Sequence, residues 1–375
     1  MDKRIWLSAP HMSGDEQKFI EQAFQENYIT TLGSNVTKFE QGLEDYFTPN
    51  RYVTTLNSGT SAIHLALKLI GVTQGDEVLC QSFTFVGSIN PVLYLKATPV
   101  FVDSEESTWN LSPELLEKAI LDRLDQGKKP KAIIAVHLFG MPYQVEKINE
   151  ISEKYDIPVI EDAAESLGSF YKDKPCGGLS DYSILSFNGN KIITTSGGGG
   201  LITTSKQNKE QAIYWATQSK ADVSHYEHTE VGYNYRLSNV LAGIGRGQLN
   251  VLSERVNQRR AIYDYYKSEL ESIDQVFFLD EPKGAFSNRW LSCILFKDSK
   301  IRDEVKNKLE ENNIESRFLW KPMHMQPLFK DNISYHSGVS EKLFERGLCL
   351  PSSSFLKQED LARVVSIIKF ALHGE

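Results

Sequence analysis

Residues 158–200 read PVIEDAAESLGSFYKDKPCGGLSDYSILSFNGNKIITTSGGGG, and the interpretation of the whole chain starts from this stretch. One short apolar run ends at Asp162, and a second, Tyr182 to Phe187, contains Ser186 and leads to Lys191 in a turn of glycine and asparagine. Ligands of open α/β sheets bind beyond the carboxyl ends of the strands, so we expect the carboxylate and the amine to converge there. A pyridoxal-phosphate enzyme needs an acid to hold a cationic ring nitrogen and a lysine to form a Schiff base. The stretch therefore predicts that cofactor.

Each of these two residues also has an ordinary structural interpretation. Most lysines face solvent, and Asp162 could cap a helix that begins at AAESLG. The combination of a carboxylate at one strand end, a serine at the next, and a lysine 29 residues after the aspartate favours the cofactor site.

The composition is that of an ordinary globular protein and excludes several classes of function. The 375 residues suffice for one large core and a smaller domain. The formal charge is −8 and the charges are interspersed, so nothing indicates nucleic-acid binding. The chain has no apolar run long enough to span a membrane, and Pro10 interrupts its start before any signal-peptide core. Widely spaced cysteines without a CxxC pair suit a reduced protein, so we expect a cytoplasmic location; they are Cys80, Cys176, Cys293 and Cys349.

Strand and helix patterns alternate through the first half of the chain. Strands are predicted for VLCQSFTF (78–85), PVFVD (99–103) and AIIAVHLFG (132–140), with helices at Ser112–Leu124 and Glu146–Tyr155. This alternation predicts an α/β fold with a mostly parallel sheet and helices on both faces. A long helix, Val240 to Tyr266, is predicted to lead from a large cofactor-binding domain (residues 1–245) to a smaller α+β domain (residues 246–375).

The segment NSGTSAIHLALKL (57–69) is predicted to begin a helix, with Gly59 and Thr60 at its amino end. The free N–H groups and the dipole of a helix start attract an anion, so a phosphate could rest there. Serine and threonine are also common helix caps, so this feature alone does not establish a phosphate site. Phe85, at the exit of the strand 78–85, is better placed than Phe83 to stack on a flat ligand ring.

A metal site is not expected. His225, Glu227 and His228 are close in sequence, but no second pair of ligands with metal-binding spacing occurs elsewhere. His137, near a strand end, is interpreted as a hydrogen-bonded structural histidine, because Lys191 is the better candidate for proton transfer.

Segments spread over nearly the whole chain resemble one known family. In chain order they are GSNVTKFE, NSGTSAIH, SFTFVGS, VHLFG, IEDAAES, SFNGNKIITTSGGGG, GYNYRLSN and WKPMHMQP. The chain resembles the pyridoxal-phosphate nucleotide-sugar aminotransferases of the DegT/StrS type, within the fold-type-I aspartate aminotransferase superfamily. The resemblance implies a fold-type-I aminotransferase with a large, mostly parallel-sheet domain and a smaller α+β C-terminal domain.

The resemblance also implies roles for individual residues. Lys191 would bind the cofactor covalently and, once released by substrate, move a proton between the cofactor carbon and the sugar carbon. Asp162 would pair with the protonated pyridine nitrogen. Glu165 would meet the phenolic oxygen of the ring; many members have glutamine there, so a carboxyl facing that oxygen must be protonated or turned away. The other implied residues are Phe85 against the ring, Gly59, Thr60 and Ser186 at the phosphate, Asn234 reaching it from the neighbouring subunit of a homodimer with shared active sites, Thr30, Thr31 and Gly33 in an N-terminal substrate loop, and Trp320 and His324 in a C-terminal one.

The wording of three segments narrows the expected substrate. SFNGNK, YEHTEVGYNYRLSN and SNRWLS look most like bacterial enzymes that aminate UDP-4-keto-6-deoxy-N-acetylglucosamine at its 4-position, on the route to bacillosamine-type sugars, with glutamate as amino donor. Alternatives are an aminotransferase for a GDP- or dTDP-linked keto sugar and a non-catalytic regulator that binds the cofactor. A related sugar dehydratase would lack the Schiff-base lysine, and a Rossmann dehydrogenase would need a GxGxxG motif after the first strand, which is absent.

Overall fold

The described part of the chain, residues 3–47 and 49–373 of a computed structural model, folds around three β-sheets. Its strands are β1 (Tyr52–Leu56), β2 (Glu77–Gln81), β3 (Thr98–Val102), β4 (Ala132–Val136), β5 (Val159–Asp162), β6 (Phe170–Tyr171), β7 (Lys174–Pro175), β8 (Tyr182–Ser186), β9 (Gly199–Thr203), β10 (Val276–Phe278), β11 (Ala285–Phe286), β12 (Ser292–Phe296), β13 (Arg317–Phe318), β14 (Ser334–Tyr335) and β15 (Gly347–Leu350). Its α-helices are α1 (Glu16–Gln25), α2 (Ser34–Tyr46), α3 (Gly59–Ile70), α4 (Asn90–Tyr94), α5 (Pro113–Asp125), α6 (Val145–Tyr155), α7 (Lys206–Ala216), α8 (Asn239–Leu249), α9 (Leu252–Leu270), α10 (Ser299–Glu311), α11 (Val339–Arg346) and α12 (Gln358–His373). None of these helices combines the length and the apolar composition that crossing a lipid bilayer requires.

The large sheet has eight strands in the order β1-β9-β8-β5-β4-β2-β3-β14. Neighbouring strands from β8 to β14 run parallel, whereas β9 is antiparallel to both β1 and β8. Strands β2, β4 and β5 are buried along their whole length, as expected for a parallel sheet with both faces covered. The predicted α/β fold with a mostly parallel sheet is confirmed.

Helices cover both faces of this sheet. Successive residues of a strand point to opposite faces, so along β4 Ile134 packs in the core that contains α3, and Ile133 packs in the core that contains α5 and α6. The carboxyl ends of the parallel strands β2, β4, β5 and β8 meet at one edge of the sheet. Strand β9 begins at the same edge because it runs the other way, and α3 begins there after β1. Any ligand site of the large sheet is therefore expected at this edge.

The second sheet, β10-β12-β15-β13, is antiparallel and lies in the C-terminal part of the chain. Helices α9, α10 and α12 pack with it around a core that includes Tyr266, Phe296 and Val364. The small third sheet, β11-β6-β7, joins this part to a hairpin that follows β5. The division into domains at residue 245 stays a prediction.

Two features of the C-terminal part differ from the sequence expectation. The helix predicted from Val240 to Tyr266 is two helices, α8 and α9, because Val251 between them has φ −111° and ψ 10°, which interrupts the helical backbone. Strand β14 extends the large sheet beside β3. Asp103, just after β3, holds the segment that follows β14, because its carboxylate accepts hydrogen bonds from the backbone N–H groups of residues 337–340. A segment of the C-terminal part thus stays attached to the large sheet.

Candidate active site

Lys191 lies in a tight turn after strand β8, at the ligand-binding edge of the large sheet. Its backbone N–H donates to the carbonyl of Asn188 at 3.0 Å, and its side chain is only 13% exposed. Its Nζ lies 3.5 Å from Oε1 of Glu165 and 3.9 Å from the ring centroid of Trp290. The amine is therefore enclosed between a carboxyl group and an aromatic face.

Asp162 ends strand β5 and is almost fully buried. Its Oδ2 accepts a hydrogen bond from Oγ of Ser88 at 2.6 Å, and its Oδ1 accepts one from the backbone N–H of Ala164 at 3.0 Å. Burial raises the pKa of the Asp162 carboxyl, and the hydrogen bonds from Ser88 and Ala164 offset part of that rise. A fixed, buried carboxylate that forms no ion pair with any described residue, although the more distant charge of Lys191 also lowers its pKa, is suited to pair with a cationic ligand.

Glu165 turns its carboxyl group toward Lys191. Its Oε2 accepts from the backbone N–H of Phe139 at 2.7 Å, which leaves Oε1 facing the amine. Burial raises the pKa of Glu165; the charge of Lys191 lowers it in part, and the nearby Asp162 adds to the rise. Of the two arrangements expected for a carboxyl at this position, this geometry excludes one that is turned away, since Oε1 faces the amine.

The amino end of helix α3 is capped so that its first N–H groups stay available. Oγ of Ser58 accepts from the backbone N–H of Ser61 at 3.0 Å, and the first two N–H groups of the helix, those of Gly59 and Thr60, precede the intrahelical ladder. A Cβ added at Gly199 would lie 2.3 Å from the carbonyl carbon of Ser58, so β9 approaches the helix start too closely for a side chain. The two elements together form a cradle for an anion.

A cavity of about 260 Å³ connects these groups. The predicted site residues that line it are Gly59, Thr60, Phe85, Asp162, Glu165, Ser186, Lys191 and Trp320. The ring of Phe85 is about half exposed and lies 5.3 Å from the ring of Trp320, centroid to centroid. Residues far apart in the sequence are therefore brought together around one small space.

The predicted N-terminal substrate loop lies outside this cavity in the single chain. Thr30 is exposed and Thr31 is half-buried. The backbone N–H of Asn239 donates to the carbonyl of Thr30 at 2.7 Å, and a Cβ at Gly33, where φ is +144°, would lie 2.4 Å from the Asn239 side chain. The glycine is needed for that contact, which fixes the shape of the loop.

Asn234 and His324 also lie outside the cavity, each next to a segment that lines it or leads to it. The carbonyl of Asn234 accepts from Nδ2 of Asn57 at 3.3 Å, and its side chain is exposed. The ring of His324 forms hydrogen bonds with Oγ of Ser82 at 2.7 Å and with Oε1 of Glu341 at 3.0 Å. The roles predicted for both residues stay predictions.

Sequence reasoning missed three residues that complete the site. Ser88 holds Asp162, Trp290 contacts Lys191, and Asn57 lines the cavity beside the start of α3. Trp290 lies almost a hundred residues after the lysine, and no local pattern could have placed it there. All three lie within segments already singled out, SFTFVGS, SNRWLS and NSGTSAIH, but no role was assigned to them there.

One group of side chains near the cavity could be read as a metal site. Ligand atoms of His324, His336 and Glu341 lie within 4.8 Å of one another, but the two imidazole planes are only 8° from parallel. The in-plane lone pairs of stacked rings do not converge on one point, so we propose no metal there. His228, from the cluster noted in the sequence, instead lies 2.8 Å from the carbonyl of Gln218 through Nδ1.

The groups around the cavity fit pyridoxal phosphate. Asp162 forms no ion pair within the described ranges, which suits a protonated ring nitrogen. The α3 cradle suits the phosphate, and Phe85 offers a ring face beside Lys191. A lysine, a buried aspartate and a phosphate cradle at the carboxyl edge of a mostly parallel sheet define the class of fold-type-I pyridoxal-phosphate enzymes.

Comparison with known proteins agrees with this class. The chain belongs to the DegT/DnrJ/EryC1/StrS aminotransferase family, whose pattern matches residues 10–369. It is 47% identical over 377 residues to EpsN of Bacillus subtilis (strain 168), by its name a candidate pyridoxal phosphate-dependent aminotransferase, with 100% of this chain and 97% of the relative covered. It is 35% identical over 366 residues to GDP-perosamine synthase of Escherichia coli O157:H7, with 98% of each covered.

A solved structure gives the same result. The DegT DnrJ EryC1 StrS aminotransferase from Brucella abortus superposes with a TM-score of 0.89 at 29% identity, over 96% of each chain. The predicted family, fold type and cofactor are confirmed: the protein is a pyridoxal-phosphate-dependent aminotransferase.

Proposed function

We propose that the protein moves the amino group of glutamate to C4 of a UDP-linked 4-keto-6-deoxy-N-acetylhexosamine and so makes a 4-amino nucleotide sugar for bacterial surface glycans. The observation that carries the proposal is the convergence of Lys191, Asp162 and the start of α3 on one cavity. Sugar-modifying relatives in the family, such as GDP-perosamine synthase, support a nucleotide-sugar substrate.

Pyridoxal phosphate, when bound, supplies an electron sink that lets a proton leave the carbon attached to the transferred nitrogen. The chain supplies position and proton transfer. Nζ of Lys191 takes the proton released from glutamate in the first half-reaction and gives a proton to C4 of the sugar in the second. Asp162, held by Ser88 and Ala164, keeps the ring nitrogen cationic.

The cavity wall also offers an unused donor for a polar substrate. Nε1 of Trp320 is buried and has no hydrogen-bond partner among the described residues. Its indole lies on the cavity wall beside Phe85. Because a buried N–H without a partner costs free energy, rotation of this indole toward an acceptor on the bound substrate, such as a sugar hydroxyl or an acetamido oxygen, would satisfy it. This supports a role for Trp320 in substrate binding.

The choice of UDP over GDP rests on the resemblance of three segments, SFNGNK, YEHTEVGYNYRLSN and SNRWLS, to enzymes that act on UDP-linked keto sugars. A GDP-linked keto sugar is the second candidate, because relatives at 35%, 33% and 31% identity are named GDP-perosamine synthase. The test is to load the protein with pyridoxal phosphate, convert it with glutamate, and add a 4-keto-6-deoxy sugar linked to either nucleotide. Return of the lysine-linked absorbance band, together with the mass of the amino sugar formed, identifies the substrate. Conversion by glutamate without return by the UDP sugar would overturn the UDP assignment.

We also propose a homodimer with shared active sites. Exposed apolar side chains occur in two segments that carry predicted site residues or adjoin them: Phe24, Ile29 and Leu32 near the N-terminal loop, and Tyr226 and Val231 before Asn234. Surfaces of this kind usually mark an interface. Sedimentation should give a dimer mass.

Sharing can be tested by mixing two inactive variants, Lys191→Ala and Asn234→Ala. In a mixed dimer one site would combine an intact Lys191 with an intact Asn234 from the other subunit, so activity should return. If Asn234 acts only within its own subunit, the mixture stays as inactive as its parts.

A further inference from the structure

Trp290 has no role in the function described so far, yet it touches the reactive amine. It lies just before strand β12, is 1% exposed, and contributes to the cavity wall. The Nζ of Lys191 sits 3.9 Å from the centroid of its ring. An ammonium group over the face of tryptophan is attracted by the ring quadrupole, and tryptophan is the strongest of the aromatic side chains in this respect. The contact therefore favours the charged form of the lysine.

A closed circuit of hydrogen bonds fixes the indole in that place. Nε1 of Trp290 donates to the carbonyl of Asn190, the residue before Lys191, at 2.7 Å. The same carbonyl accepts from Oγ of Ser8 at 2.7 Å. Arg259, on helix α9, donates to Oγ of Ser8 at 3.1 Å and also to the carbonyl of Trp290. Four segments distant in sequence thus fix both the indole and the backbone of the lysine turn.

Arg259 contributes to this circuit although its burial destabilises the folded protein. Its side chain is buried, both groups that accept from it are neutral, and its Nε has no acceptor in the described part of the chain. Burial, with a smaller contribution from Arg255, lowers the pKa of Arg259 to about 9. A buried guanidinium without a carboxylate partner destabilises a fold, so its retention at this position needs another reason. Positioning of Trp290 and Lys191 supplies one.

We propose that Trp290 is a positioning residue that holds the ammonium form of Lys191 against its indole face whenever the amine is not covalently attached to the cofactor. The proposal rests on the function proposed above for Lys191. The charged groups that face the amine with it are Glu165, at 3.5 Å, and the more distant Asp162. When Nζ takes a proton from one carbon, the indole stabilises the resulting ammonium until the same proton passes to the next carbon.

The test measures the amine itself, in the full-length protein without cofactor. Trace acetic anhydride acetylates only neutral amines, and mass spectrometry compares Lys191 with Lys209, whose Nζ pairs with Glu44 at 2.7 Å. Loss of a cation–π contact should raise the relative labelling rate of Lys191 near neutral pH about 2- to 30-fold in Trp290→Leu, and by a smaller factor in Trp290→Phe. At strongly alkaline pH, where the amine is neutral in every variant, the rate should not change. Trp320→Phe, which alters another tryptophan of the same cavity, should leave both rates unchanged.

Two outcomes would overturn the proposal. An equal rise at both pH values would mean that Trp290 only shields the lysine, and an unchanged rate would mean that it has no effect on the charge. If the Trp290 variants do not fold, Ser8→Ala removes two hydrogen bonds of the circuit, those with Asn190 and Arg259, and should give a smaller rise in the same direction; no rise would count against the proposal. Borohydride reduction of the wild-type protein with pyridoxal phosphate provides the separate check: failure to fix the cofactor on Lys191 overturns the proposed function instead.

Discussion

Replacing Asp162 by asparagine should stabilise the cofactor-free protein while abolishing cofactor binding. Burying a carboxylate costs several kcal/mol, whereas the hydrogen bonds from Ser88 and Ala164 return about 1.5–3 kcal/mol each. Burial raises the pKa of Asp162, so the hydrogen bonds offset only part of the penalty for burying the carboxylate. Asparagine keeps an acceptor for Ala164 and removes the charge, for a net gain of about 1–2 kcal/mol. For a chain of 375 residues that is a rise of about 1–3 °C in the melting temperature.

Asp103→Asn is the matched control, because the same chemical change should have the opposite effect. The two oxygens of Asp103 accept from the backbone N–H groups of residues 104, 337, 338, 339 and 340. Burial alone would raise the pKa of Asp103, but hydrogen bonds from Ser340 and Ser337 outweigh it and lower the pKa. An asparagine has one acceptor oxygen, so at least two buried donors lose their partner at about 1–3 kcal/mol each. The melting temperature should fall by about 3 °C or more.

The pH dependence of the two effects follows from the signs of the shifts. A carboxyl whose pKa is raised on folding destabilises the protein only above its unfolded value, 3.8 for aspartate, so the gain in Asp162→Asn should disappear as the pH approaches that value. Asp103 has a lowered pKa, so its contribution is present above 3.8 and is lost as the pH falls through the folded pKa. Differential scanning fluorimetry without cofactor, from mildly acidic to neutral pH, measures both. A lower melting temperature for Asp162→Asn at neutral pH would refute the reasoning, as would retention of pyridoxal phosphate by that variant after dialysis.

Three further substitutions test other parts of the site. Glu165→Gln should make the affinity for the cofactor less dependent on pH between mildly acidic and alkaline conditions. Burial raises the pKa of Glu165, and its ionisation would place a second negative charge beside the ligand. Fluorescence titrations with the cofactor at several pH values measure this, and an affinity that depends on pH as strongly as in the wild type would contradict it. Gly199→Ala should lower both the melting temperature and the affinity for phosphate, because the added Cβ would lie 2.3 Å from the carbonyl carbon of Ser58. Gly197→Ala is the control: a Cβ there meets nothing within 4 Å, so this variant should melt like the wild type. Glu161→Gln should destabilise the protein by about 2–3 kcal/mol at neutral pH and by less only as the pH falls below 4.5, because burial would raise the pKa of Glu161 but a hydrogen bond from a buried histidine helps to lower it. A loss that stays the same well below pH 4.5 would be inconsistent with that origin.

Much of the site could be predicted because its residues sit where regular elements end. Asp162, Ser186 and Lys191 follow strands in one short stretch, and Gly59 begins a helix with a strong apolar pattern. Parallel strands bring such ends together by their geometry alone, so order along the chain translates into proximity. The same reasoning predicted the α/β fold, since the buried strands read as continuous apolar runs.

The contacts of Trp290 and the position of β14 could not be predicted, because both depend on how distant segments pack. Nothing near SNRWLS indicates that its tryptophan contacts a lysine about a hundred residues earlier. Likewise a two-residue strand has no periodicity, and Asp103 holds β14 through backbone groups that carry no sequence signal. The break between α8 and α9 was missed because Asn250 and Val251 are both compatible with a helix.

The motif IEDAAES shows how one short sequence serves two opposite demands. Glu161 and Asp162 are adjacent on β5, and the pleat of the strand points them to opposite faces of the sheet. Glu161 meets donors on every side, from His137, Gly177 and Ser183, and its lowered pKa reports a carboxylate that stabilises the fold. Asp162 meets fewer donors, and burial raises its pKa, as expected for a carboxylate whose proposed partner is a cationic ligand. A one-residue slip of β5 would exchange these two environments and would remove both the support of the sheet and the proposed acid of the active site.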